Sequence, residues 1–173
     1  WPDHVRGAAN VSGEQLLDPN FVAGVVAALT ESGRPAARLE LEVTESIFLR
    51  DATLARSALE KIMALGCKVA LDDFGTGYSS LGYLRKLRFS TIKIDRSFVQ
   101  QATLAEDSAA IVRAVSNLGA ALGLRVVAEG VENEEQHRFV REAGCDELQG
   151  YLFSRPVPDD RIDVVALAPA DVP

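Results

Sequence analysis

Short apolar stretches alternate along the chain with longer segments of helical period. Val5–Val11, Leu39–Thr44, Cys67–Leu71, Thr91–Ile94, Arg125–Ala128 and Asp146–Leu148 read as strands. A helix is expected from about Gly13 to Ser32. A second is traced by Leu54, Ala58, Leu59, Ile62, Met63 and Leu65 and stopped at Gly66. A short helix around Ser79–Leu87 follows a Gly-rich turn, and a long one runs from about Asp107 to Leu122 before Gly123. Asn133 is placed to cap another that reaches about Ala143 and stops at Gly144. The tail, Asp159–Pro173, begins as an amphipathic helix and becomes rich in Ala, Pro and Asp.

This alternation is the pattern of a parallel sheet with helical crossovers. Six such units come close to the eight of a closed barrel. The expected fold class is therefore α/β: a modified TIM-type (β/α) barrel, N-terminally incomplete, with about six of eight strands. An open doubly wound sheet is the rival. One domain is expected over 1–158, with 159–173 as its C-terminal helix and tail. A barrel fragment would also expose strand edges that favour rearrangement or pairing with another chain.

Alternate residues of a strand face opposite sides. Leu39, Leu41 and Val43 oppose Glu40, Glu42 and Thr44, and Cys67, Val69 and Leu71 oppose Lys68, Ala70 and Asp72. Ile92 and Ile94 oppose Thr91, Lys93 and Asp95; Val126 and Ala128 oppose Arg125, Val127 and Glu129. The same parity sets Asn10 against Ala9 and Val11, and Gln149 against Leu148. One acid after a strand is ordinarily a helix cap or a solvated loop residue, and one lysine is ordinarily a snorkelling surface residue. Six polar residues at the C-terminal ends of six successive strands, where barrel active sites form, point to function.

The residue types suggest the chemistry. Glu42, Asp72, Asp73 and Glu129 would crowd carboxylates into one mouth, which needs compensating charge. With the Asn10 carbonyl they suit Mg²⁺ or Mn²⁺ rather than zinc, and His4 and His137 are too few and too badly placed for a histidine site. Adjacent Asp72 and Asp73 are expected to point in different directions, toward two ions, an arrangement suited to phosphodiester hydrolysis. Lys93 would offer a fixed positive charge to a phosphate or an attacking water. Surrounded by acids it would stay protonated, which argues against a Schiff-base nucleophile. The most specific stretch is Asp72–Leu81, where Gly75 and Gly77 permit unusual backbone angles and Ser79 or Ser80 could cap a helix.

Composition narrows the setting. Hydrophobic residues make up 47% and charged residues 25% of the 173 positions, an ordinary globular balance. The net charge of −7, from 18 basic and 25 acidic residues, argues against DNA, RNA or an anionic membrane as a partner. Cys67 and Cys145 give no disulfide framework, so a cytoplasmic location is expected, with any membrane anchoring left to other domains.

These residues resemble the EAL family of bacterial cyclic-di-GMP phosphodiesterases. The resemblance rests on Asn10-Val11-Ser12, Leu39–Ser46, Asp72–Leu81, Ile92–Phe98, Ala128–Glu132 and Gln149-Gly150-Tyr151, in the family's order, over the chain to about Pro158. It implies a two-metal site (Mg²⁺ or Mn²⁺) that hydrolyses one phosphodiester bond of cyclic di-GMP to give linear pGpG. By position, Asn10, Glu42 and Asp72 resemble metal ligands, Asp73 a ligand of the second metal, Glu129 a ligand or general base, and Lys93 the lysine that orients water. Glu45 resembles the anchor of the loop after Asp73, a loop linked to homodimers. Asp95, Glu132 and Gln149 resemble substrate-side or supporting positions. The Glu-Ala-Leu segment that names the family is not in this sequence, and it carries a metal-ligand glutamate. The chain alone is therefore expected to be weakly active or inactive, within a parent enzyme that bears an upstream sensory or cyclase-like domain. A non-catalytic cyclic-di-GMP receptor is the alternative.

Overall fold

Six parallel strands pair strictly in chain order: β1 (Gly7–Asn10), β2 (Leu39–Thr44), β3 (Lys68–Phe74), β4 (Thr91–Ile94), β5 (Arg125–Glu129) and β6 (Glu147–Gln149). The computed structural model describes residues 5–76 and 81–158. The expected helix and tail over 159–173, His4, Gly77 and the candidate caps Ser79 and Ser80 lie outside them. A doubly wound sheet reverses its strand order at a switch point; this sheet does not, so the rival reading falls. The sheet also curls. Arg6, just ahead of β1, donates to Glu147 at the start of β6 at 2.6 Å, although these strands are the two edges. The result is a half-barrel.

Between the strands run α1 (Gly13–Leu17), α2 (Phe21–Ser32), α3 (Ile47–Ala64), α4 (Leu81–Lys86), α5 (Arg96–Gln101), α6 (Glu106–Leu122) and α7 (Glu134–Glu142). Leu41, Val43, Val69, Leu71, Ile92, Ile94, Val126 and Ala128 form the outward face of the sheet. They share one buried core with Ala55, Leu59 and Ile62 of α3 and Val112 and Val115 of α6.

Three local features depart from the sequence pattern. The single helix expected over Gly13–Ser32 is two, because Pro19 disfavours helical angles at the residue before it and Asp18 is extended (φ −65°, ψ 126°). Helix α3 begins at Ile47, ahead of the Leu54 stripe, and is kinked at Asp51 (φ −147°, ψ 93°). The Asp51 carboxylate accepts from the Thr53 and Leu54 amides at 3.0 and 2.9 Å, recapping the helix where the stripe begins. Helix α5 is too short to show a period; Asp95 starts it by accepting from the Ser97 amide at 2.9 Å.

The lower end of the barrel interior is ionic. Arg125 donates to both oxygens of Glu40 (3.2 and 3.1 Å), to the Thr91 hydroxyl (2.9 Å) and to Glu147 (2.5 Å). Thr91 and Ser90 also donate to Glu40, at 2.5 and 3.1 Å. Burial works to raise the Glu40 pKa, but the Thr91 hydrogen bond, the Arg125 charge and the Ser90 hydrogen bond together hold it below its ordinary 4.5. A lowered native pKa means the unfolded chain binds this proton more readily. Glu40 therefore contributes stability above its ordinary value and loses it as pH falls through the depressed one. Glu40→Gln is expected to flatten the acid limb of a stability-versus-pH curve measured by urea unfolding between about pH 6 and 3.

Gly119 of α6 marks the closest approach of helix and sheet. A Cβ there would lie 2.2 Å from Cγ2 of Val126, which is fully buried and stiff at χ1. Gly119→Ala is expected to lower the unfolding free energy by about 1–3 kcal/mol in chemical denaturation, by overpacking this contact.

Candidate active site

Above the ionic floor, β2 to β5 bring a lysine and four acids together at the C-terminal mouth. Lys93, 4% exposed, projects from β4 into the interior. Its Nζ lies 2.8 Å from Glu42 Oε2, 3.4 Å from Asp72 Oδ1 and 2.5 Å from Glu129 Oε1. Burial alone would favour a neutral amine. The hydrogen bonds to Glu129 and Glu42 and the charges of Glu129 and Asp72 reverse this and lift the Lys93 pKa above the ordinary lysine range. Lys93 is therefore a permanent cation, neither a snorkelling surface residue nor a nucleophile.

Asp73 departs from the strand pattern. Its φ of 52° is the left-handed value that non-glycine residues avoid, and among the described residues no other non-glycine residue has a positive φ. Its carbonyl accepts from the Thr76 amide and hydroxyl at 3.3 and 2.8 Å, and Gly75 completes the turn at φ 98°. One oxygen each from Asp72, Asp73 and Glu129 lie within 4.8 Å of one another. Burial and then the charges of Asp72 and Asp95 raise the Asp73 pKa. Burial also raises that of Glu129, against the hydrogen bond and charge of Lys93. Three convergent carboxylate oxygens, two of them on acids disfavoured as anions, fit a hard divalent cation.

The other candidates sit around this cluster. Asn10 lies on the exposed edge strand in register with Glu42. Glu45 is buried at the end of β2, where its carbonyl accepts from Phe48 at the start of α3. Asp95 caps α5, and its charge acts on Asp73. Glu132 accepts from Gln100 at 3.0 Å, and its amide donates to Gln136 at 2.8 Å. Gln149 lines a cavity of about 180 Å³ with Glu129, Glu132, Gly150, Tyr151 and Arg96. Arg96 was not singled out by the strand-end pattern because it lies two residues past the end of β4, on a helix; the signal for it was its place inside Ile92–Phe98. Its backbone is crowded by Gly130 (φ 70°), where a Cβ would meet the Arg96 Cβ at 2.5 Å. Cys67 and Cys145 are both free, and burial raises both thiols, Cys145 to about 11. They take no part in the site. Among the described residues, no helix is long and apolar enough to cross a membrane.

The chemistry available is thus cation binding by carboxylates beside a fixed positive charge, next to a cleft lined by polar groups and an aromatic ring. Known proteins resemble this chain in sequence and fold. The family model described as EAL domain matches residues 1–156. The bifunctional diguanylate cyclase/cyclic di-GMP phosphodiesterase MucR of Pseudomonas aeruginosa is 44% identical over 90% of this chain, and the chain spans 23% of it. The cyclic di-GMP phosphodiesterase NbdA of the same organism is 42% identical over 90% of the chain, which spans 20% of it. The chain thus covers about a fifth of the length of the curated relatives it matches. Among solved structures, the PaMucR phosphodiesterase in complex with c-di-GMP superposes with a TM-score of 0.86 at 44% identity, over 90% of this chain and 63% of that one. Klebsiella pneumoniae BlrP1 in its manganese/cy-diGMP complex gives 0.82 at 34% identity, over 87% and 39%. The chain belongs to the EAL domain family.

Proposed function

We propose that this chain is the greater part of a metal-dependent phosphodiesterase domain that hydrolyses cyclic di-GMP to linear pGpG, in a longer protein with a sensory or cyclase-like segment upstream. One observation carries the reading: Lys93 gathers Glu42, Asp72 and Glu129 directly beside the converging oxygens of Asp72, Asp73 and Glu129. The names of MucR and NbdA support the substrate class, and the BlrP1 complex supports a divalent ion with it.

Asp72, Asp73 and Glu129 would hold Mg²⁺ or Mn²⁺, with Glu42 and Asn10 as the nearest further donors. When bound, such ions supply Lewis-acid polarisation of phosphoryl oxygen and acidify water at neutral pH. Lys93 places an invariant positive charge where a phosphate or an attacking hydroxide carries negative charge. Glu129, between Lys93 and the converging aspartates, would serve as ligand of the ion or accept a proton from water. The cleft of Arg96, Glu132, Gln149 and Tyr151 opens beside Glu129 and would take part of the nucleotide.

Purified with its flanking segments, the protein is expected to convert cyclic di-GMP to pGpG, by chromatography, only with Mg²⁺ or Mn²⁺ present. Nucleotide binding without turnover would replace the enzyme reading with that of a receptor. Glu129→Gln should lower kcat by roughly 10²–10⁴-fold in steady-state kinetics. Lys93→Met should lower kcat by about 10²–10³-fold.

A further inference from the structure

The ionic floor of the half-barrel does more than close it. We propose that Arg125, braced by Glu40, Thr91 and Glu147, is a positioning residue for the lysine–carboxylate cluster above. It holds the offset between β2, β4 and β5 that lets Lys93 meet Glu42, Asp72 and Glu129 at once. This deepens the phosphodiesterase reading and rests on it for its kinetic consequences only.

The placement carries the inference. Glu40 and Glu42 share one face of β2, and Thr91 and Lys93 share one face of β4, each pair two residues apart. Arg125 and Glu129 share the corresponding face of β5, with buried Val127 between them. Each brace residue thus sits one interior layer, or two, below a member of the cluster. β3 contributes Ala70 at this level, fully buried and in register with both Glu42 and Thr91. That small side chain leaves room for Glu40 to reach across β3 to Thr91 and Arg125. One guanidinium then ties β2, β4 and β6 to its own strand β5, and Arg6 extends the tie to the chain entering β1.

Closing a barrel floor does not require charge. An apolar layer of equal volume is commonly as stable or more so than a buried ion pair, because ions lose hydration. What a guanidinium adds is direction, since its donors are fixed in a planar fork. Direction matters here because repelling carboxylates do not set their own spacing. Lys93 contacts three acids only while the strands below them keep their offset.

The test uses the protein with its flanking segments. Two probes are read: steady-state kinetics on cyclic di-GMP with Mn²⁺, and the ¹⁵N-ammonium NMR signal of Lys93, assigned by its loss in Lys93→Met. Arg125→Met is expected to lower kcat by roughly 10- to 100-fold with KM changed less than about threefold, and to shift or broaden the Lys93 signal. Because the single variant strands Glu40 as a buried charge, a second variant, Glu40→Leu with Arg125→Met, removes that charge and is expected to regain thermal stability. It should still show the reduced kcat and the altered Lys93 signal. Should the double variant regain both wild-type kcat and the wild-type signal, the brace is structural only and the proposal is overturned. An unchanged Lys93 signal in a folded Arg125→Met protein overturns it as well. If the wild type binds cyclic di-GMP without turnover, the phosphodiesterase reading fails, and the Lys93 signal decides this proposal alone.

Discussion

A buried ammonium opposed by carboxylates from neighbouring strands is the interaction on which this half-barrel's chemistry depends. Lys93 is almost wholly removed from water, a costly position for a charge that is not paired and hydrogen-bonded. Glu42, Asp72 and Glu129 answer that cost together. The cluster is therefore cooperative. It exists only where β2, β3, β4 and β5 hold one relative offset, and that offset is set elsewhere.

Two surfaces of the sheet share the work. Outward, the Leu, Val and Ile residues of β2 to β5 pack against α3 and α6 in one apolar core, which fixes the sheet as a whole. Inward, the polar residues form two charged layers separated by small or apolar groups such as Ala70 and Val127. The lower layer matches donors to acceptors nearly one for one around Arg125, whereas the upper layer has an excess of acid. The difference follows strand direction, since barrel chemistry is built at the C-terminal ends and stability at the other. Asp73 adds a local device. Its left-handed backbone, held by Thr76 and Gly75, turns a side chain that β alternation would send away back toward Asp72 and Glu129. Backbone strain of this sort persists only where the surroundings impose it, and it gathers at functional sites.

Much of this was legible in the sequence because period-two alternation is a strict consequence of strand geometry. It separated Ile92 and Ile94 from Lys93, and Val126 and Ala128 from Glu129, without reference to any neighbour. Chain-order pairing followed from the same alternation of strands and helices. What alternation could not give was any feature that depends on one residue's backbone or on a partner several strands away. The φ of Asp73 departs from the ideal pleating that alternation assumes. Pro19 split a helix whose apolar period ran straight through it, and the recapping at Asp51 hid the first turns of α3. Glu40 and Arg125 were assigned to the inner face correctly, yet nothing in their spacing announced that they meet across β3 and β4.

The imbalance of the upper layer explains why lysine and metal are complementary here rather than redundant. One ammonium cannot balance four acids, and the raised pKa values of Asp73 and Glu129 register the repulsion and burial that Lys93 leaves unrelieved. Asp73 has no ion pair with Lys93 among the described contacts, and it is the member turned inward at a backbone cost. Lys93 thus preorganises Glu42, Asp72 and Glu129 at fixed distances, while the residual field converges on Asp72, Asp73 and Glu129. A divalent cation entering there would meet ligands already in place, and its charge would add to the partial relief that Lys93 gives Asp73 and Glu129.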